Sequence, residues 1–227
     1  MTEADSNIQR HLAHLKALRG ETDQAPPRLR EVKAWQSERL ARTYADVAAV
    51  PRYRSATRFF LEDLYGPKDF SRRDQAMIRI VPVMSRILPA SAVETAALAI
   101  ELEALSEDLD QRLAAKLRPG AVDEASYAKA YRESSTREER ERQVALIGAV
   151  GGRLDALIDR PLVLRTLKLM RAPAKMAGLE DLQDFLERGF SAFRDMGGAD
   201  EFLALVGSRE SAILNAIFSG AARPFSI

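Results

Sequence analysis

Five side chains between positions 58 and 101 have the types and spacing to do chemistry together: Arg58, Glu62, Tyr65, Arg79 and Glu101. Arginine keeps its charge in any protein environment, so Arg58 and Arg79 would hold an anionic group. Tyr65 would orient that group through its phenol, and Glu62 or Glu101 would act as a base. Each residue also has a structural reading. Arg54, Arg58 and Glu62 repeat every four residues, the spacing of a solvated ladder worth only about 0.2–0.5 kcal/mol per pair. Arg79 stands in an apolar run, where an unpaired guanidinium is too costly, so it needs either a carboxylate such as Glu101 or a water-filled cavity.

Little other catalytic chemistry is available. Cysteine is absent, which removes disulfides, thiolate nucleophiles, iron–sulfur clusters and thiolate zinc sites together. His11 and His14 are the only histidines; with no third ligand nearby they read as surface residues, and a Ser-His-Asp site has no histidine in the rest of the chain. Helical di-metal centres need Glu-x-x-His pairs, and none occurs. Gly148-x-x-Gly151-Gly152 superficially fits a phosphate loop but lacks a preceding strand and a following Lys-Ser/Thr. It falls inside the period of Val144, Ile147, Val150, Leu154 and Ile158, so close helix packing is the better account. No metal and no cofactor is expected.

Helices must position these groups. Nearly every window carries apolar residues at i, i+3, i+4 and i+7, which predicts an all-α fold, a bundle of about nine or ten helices. The punctuation places helices over 7–19, 27–49, 52–65, 72–88 and 92–117, the last opened by Ser91-x-x-Glu94 as a capping box. Asp123 caps a short helix, Ser135-x-x-Glu138 opens one to about Ile158, and Pro161 starts the next. A helix over 179–196 ends at Gly197-Gly198, and the final one is expected to break at Gly207-Ser208. Met77 to Leu88 is apolar on most sides, as a central buried helix is, and Pro82 would kink it and free the Ile78 carbonyl. Glu94, Glu101 and Asp108 share the inner arc of the 92–117 helix, which makes Glu101 the expected semi-buried carboxylate. Gly189 interrupts an apolar stripe and would admit a neighbouring helix closely.

With 227 residues, of which 46% are hydrophobic, the chain can bury one core, so residues 1–227 are expected to form one domain, with 1–25 a loosely attached helix and linker. Lys plus Arg number 34 against 33 for Asp plus Glu, a balance that generates no field for nucleic acid. The run from Met77 to Leu88 is too short and too charged to span a membrane. Met1 to Asp5 lacks the pattern of an export signal, which predicts a cytoplasmic protein. One basic helix, over 161–175, shows Arg160, Arg165, Lys168, Arg171 and Lys175 on one side and Leu162, Val163, Leu167, Leu169 and Met170 on the other.

The run Phe59-Phe60-Leu61-Glu62-Asp63-Leu64-Tyr65-Gly66-Pro67-Lys68-Asp69-Phe70, with Arg73-Asp74 and Arg79-Ile80-Val81-Pro82 after it, resembles a family of uncharacterised bacterial all-helical proteins. The resemblance covers Arg58 to Pro89 and implies neither an activity nor a cofactor.

These observations together favour a non-enzymatic helical binding or protein-interaction module, working with an unknown protein partner or as a homo-oligomer such as a homodimer. The alternative is a pocket for a small anionic ligand, conceivably enzymatic, between the helices over 52–65, 72–88 and 92–117, built from the five residues above. A second alternative is peripheral attachment to an anionic surface through the basic helix 161–175.

Overall fold

Helix starts and stops follow local chemistry, and they determine which faces can meet. The computed structural model describes residues 3–19, 26–64, 90–158 and 160–226. Among them it holds eleven α-helices, one π-helical turn and no strand. The helices are α1 (Glu3–Arg19), α2 (Pro27–Thr43), α3 (Ala45–Ala49), α4 (Pro51–Phe59), α5 (Ala90–Lys116), α6 (Glu124–Ser134), α7 (Arg137–Ile158), α8 (Pro161–Leu169), α9 (Arg171–Met176), α10 (Glu180–Met196) and α11 (Asp200–Phe218). The fold is all-α. The expected central helix from Met77 to Leu88 lies outside the described residues.

Pro27, Pro51 and Pro161 stand in first turns, where a missing N–H forfeits no intrahelical bond. Asp123 opens α6 with a capping box: Ser126 N donates to Asp123 Oδ1 at 2.7 Å, and Asp123 N donates to Ser126 Oγ at 3.0 Å. At α7 the box sits one residue later than its spacing predicts. Thr136 N donates to Glu139 Oε2 at 2.8 Å and Glu139 N to Thr136 Oγ1 at 3.2 Å, while the Ser135 hydroxyl donates back to the Tyr131 carbonyl at 2.7 Å. Ser91 lies inside α5 rather than capping it, and Glu94 is drawn to Arg153 at 2.6 Å. Gly197, with φ of 62°, closes α10 in the left-handed conformation.

Two expected helices are interrupted. The one over 27–49 breaks at Tyr44 into α2 and α3, and the break carries the Tyr44 ring into the core, where its hydroxyl donates to Glu210 at 2.9 Å. The one over 52–65 gives way after Phe59 to a π turn, Phe60–Leu64. That widened turn lets consecutive aromatics pack in different directions, Phe59 on Phe185 at 5.3 Å and Phe60 on Phe202 at 5.6 Å. Conversely, α11 runs through Gly207-Ser208 unbroken. Packing against α7 outweighs the roughly 1 kcal/mol a helical glycine costs.

The long helix α5 is the spine. Helices α1, α2, α6 and α7 lie against it. Ile8 and Leu12 of α1 pack with Val93 and Ile100 of α5, and each such buried aliphatic contributes about 1.5–3 kcal/mol. Helix α4 lies on α10, and α11 lies on α7 and α6. Glycines permit two of these approaches. A Cβ at Gly189 in α10 would stand 2.7 Å from the Phe59 ring, and one at Gly151 in α7 would collide with the Leu203 side chain. No described helix is long and apolar enough to cross a membrane.

Candidate functional site

Four helices each bring a charged residue to the place where an apolar one would continue the buried stripe. On α7, Arg140 is in phase with Val144, Ile147 and buried Gly151; on α11, Glu210 is in phase with Val206, Ile213 and Ile217. Arg39 on α2 continues the phase of Val32 and Gln36, and Asp110 on α5 that of Ser106 and Leu113. Because these stripes converge, the four charges meet inside the bundle. They line a cavity of about 110 Å³ whose wall also includes Tyr44, Tyr127 and Tyr131. The rest of the wall combines Gln36, Thr57, Ser106 and Gln143 with an apolar side that includes Leu40, Phe60, Val144, Ile147, Val206 and Ile213.

The polar groups are organised in three hydrogen-bonded sets. Arg39 Nη1 donates to Glu210 Oε1 at 2.7 Å, and the Tyr44 hydroxyl donates to the same oxygen at 2.9 Å. Gln36 Nε2 donates to Asp110 Oδ1 at 2.7 Å and to the Tyr127 hydroxyl oxygen at 3.0 Å. Arg140 is only 2% exposed; its Nε donates to Ser135 Oγ at 3.0 Å and its Nη1 to Gln143 Oε1 at 3.1 Å. Gln143 in turn donates to Ser106 Oγ at 2.9 Å. The Arg140 guanidinium lies over the Tyr131 ring. Two nitrogens of cavity-lining residues, Arg39 Nε and Arg140 Nη2, are buried and have no protein acceptor.

Burial and neighbouring charge set the protonation. Burial opposes the charge of Arg39, but the Glu210 carboxylate outweighs it and holds the guanidinium above the ordinary arginine value. Burial, reinforced by Glu210, pushes the Tyr44 phenol well above its ordinary range, and burial does the same to Tyr131. Burial also raises the Asp110 carboxyl, against the lowering pull of Gln36, Lys33 and Arg140. A buried carboxyl that leans toward its neutral form, beside an arginine partnered by neutral groups alone, is chemistry suited to receiving an anion.

Arg58, Glu62 and Glu101, singled out from their spacing, do not line this cavity. Arg58 and Glu62 pair with each other across one turn at 3.1 Å on an exposed face. Glu101 is partly exposed and takes two bonds from Arg142, at 3.0 and 2.5 Å. No hydrogen bond or ion pair among the described residues joins Glu101 to Arg58 or Glu62, and Tyr65 and Arg79 lie outside the described residues. Glu107, at 4% side-chain exposure, is more buried than Glu101 and accepts from Lys33 at 2.8 Å and Gln111 at 3.0 Å. Helices α4 and α5 and the π turn do reach the cavity, but through Thr57, Phe60, Leu61, Ser106 and Asp110. The signal that would have found the site is the phase of Arg39, Asp110, Arg140 and Glu210, each a charged residue on an inward register.

The basic segment also differs from its expected form. It is two short helices, α8 and α9, and Leu169 and Met170 are exposed rather than inward. Arg171 is paired with Glu187, and Lys175 lies 3.7 Å from Glu180.

No curated protein and no solved structure matches this chain. One family model does, over residues 16–224, and its description is a domain of unknown function, DUF8198. Since that match spans nearly the whole bundle, from the end of α1 to the residues after α11, the chain belongs to the DUF8198 family.

Proposed function

We propose that this chain is a helical binding domain that holds a small molecule in the polar cavity between α2, α5, α6, α7 and α11. One observation carries the reading: two buried guanidinium donors, Arg39 Nε and Arg140 Nη2, belong to cavity-lining residues and have no protein acceptor. A buried donor left unmatched costs about 1–3 kcal/mol. The cavity, at about 110 Å³, far exceeds the roughly 10–15 Å³ that one water needs. Mixed apolar and convergent polar lining is the usual make-up of small-molecule sites.

A library of small polar metabolites, screened by thermal shift on the full chain, tests this. Two cavity-filling variants, Val144→Ile and the bulkier Ile147→Phe, provide the control. Compounds that stabilise the wild-type protein are expected to lose their effect in both variants. If no compound stabilises it, or if the variants respond equally, the cavity is not a binding site.

A second reading rests on a different face. Leu169 and Met176 are 76% and 89% exposed, with exposed Met170 between them, and such grouped apolar residues mark interaction surfaces. Since Glu187 and Glu180 offset Arg171 and Lys175, this corner is more apolar than basic. It suits a protein partner or a second copy of the chain better than an anionic membrane. Sedimentation equilibrium of the wild-type protein and of Leu169→Glu/Met176→Glu checks the self-association form, and co-sedimentation with phosphatidylserine vesicles checks the membrane form.

A further inference from the structure

We infer that the cavity ligand is a small monocarboxylate with an apolar body, its head group on Arg140. This rests on the binding-domain reading above and goes further by naming the chemical class. Arg140 differs from the two other arginines that carry a buried nitrogen without a protein acceptor. Arg39 has Glu210, and Arg112 has Asp108 and Glu139. Arg140 has Ser135, Gln143 and the Tyr131 ring, all neutral, and no described carboxylate within ion-pair distance. At 2% exposure the Arg140 guanidinium favours a counter-anion.

The charge count selects a monoanion. Two arginines and two carboxyls line the cavity; Glu210 pairs with Arg39, and Asp110 is held by Gln36 and makes no ion pair with Arg140, so Arg140 has no direct carboxylate partner among the described residues and a phosphate dianion would be left half-matched. Arg39 Nε is a further buried donor without a protein acceptor on a cavity-lining residue, and guanidinium donors suit carboxylate oxygens. The apolar wall of Leu40, Phe60, Val144, Ile147, Val206 and Ile213 leaves the rest of the ligand in hydrocarbon surroundings. Asp110 is the group that opposes an incoming anion. It faces Gln36 and Lys33 from α2, Tyr127 from α6 and Arg140 from α7, with Glu107 on its own helix. When neutral it admits the carboxylate, and when ionised it repels it.

Isothermal titration of the full chain with butyrate, hexanoate and benzoate, each against its alcohol and its amine, tests the assignment. The acids are expected to bind at least about tenfold more tightly than the isosteric alcohols, and the amines not at all. Arg140→Met keeps an unbranched apolar stem without the guanidinium and should erase the acid preference. As an independent check, Asp110→Asn should tighten acid binding several-fold near neutral pH and flatten its decline as pH rises. Alcohols or amines binding as well as the acids, inorganic phosphate displacing them, or an acid preference that survives Arg140→Met would each overturn the assignment. If neutral or cationic compounds bind and are lost on cavity filling, the binding-domain reading stands and the carboxylate class falls. If none of these compounds binds, the carboxylate class falls; the binding-domain reading falls with it only when the metabolite screen also finds no stabilising compound.

Discussion

The guanidinium carbon of Arg140 lies 3.9 Å from the centre of the Tyr131 ring, inside the bundle. This contact joins α6 to α7 and gives a buried cation the negative face of an aromatic ring, an interaction worth about 0.5–2 kcal/mol. It holds the arginine at the cavity without neutralising it, and an unneutralised cation is what an anion site requires.

Removal of that ring is therefore expected to destabilise the fold. Tyr131→Leu should cost about 1–3 kcal/mol, whereas Tyr131→Phe, which keeps the π face, should stay within about 0.5 kcal/mol. Urea unfolding of the two variants measures the difference. In an Arg140→Met background the gap between Leu and Phe should shrink, because the cation that used the ring is gone.

Asp110 predicts a stability that falls as pH rises. Its carboxyl is raised above the ordinary value of 3.8 by burial, so the folded state holds its proton more tightly than the unfolded chain does. The favourable contribution is complete below the ordinary value and is lost as pH climbs through the raised folded value. Asp110→Asn keeps the acceptor for Gln36 and removes the charge. Its chemical-denaturation curves should show added stability near neutral pH, vanishing in acid.

Glu107 works in the opposite direction. Burial alone would raise it, but Lys33, Gln111 and Arg19 together hold it below its ordinary 4.5. Its stabilisation is therefore present above that ordinary value and is lost as pH falls through the depressed folded value. Lys33→Met leaves the carboxylate buried with less compensation. It should lower stability at neutral pH by about 1–3 kcal/mol and move the onset of acid unfolding upward.

The two close-packed glycines should respond differently to a methyl group. At Gly189 the obstacle is the Phe59 ring, 2.7 Å from a built Cβ and itself buried. At Gly151 it is the end of the Leu203 side chain, which can rotate away. Gly189→Ala should therefore cost about 1–3 kcal/mol, whereas Gly151→Ala should be near neutral, since alanine regains up to about 1 kcal/mol of helix propensity. Thermal melts of the two variants rank them.

Local features were legible where neighbours in the chain decide them. The capping aspartate Asp123, the first-turn Pro161 and the left-handed stop at Gly197 act within a few residues of themselves. The packing roles of Gly151 and Gly189 could be read because a glycine on an apolar stripe leaves a gap whatever fills it. The breaks at Tyr44 and Phe60 could not, since each answers to a distant partner, Glu210 for the first and Phe202 for the second. Arg58 and Glu62 were correctly placed on one face, where they serve each other.

The residue string by itself determined that this chain is helical, that it lacks thiol chemistry, and where most of its helices start and stop. These are matters of periodicity, composition and capping, all short-range. Only the tertiary structure decided which inward charges meet. Arg39 and Glu210 are 171 positions apart, and a charged residue on a buried register announces a partner without naming it. The partner follows from how α2, α5, α7 and α11 pack, a choice made by the summed burial of many apolar side chains rather than by the charges themselves.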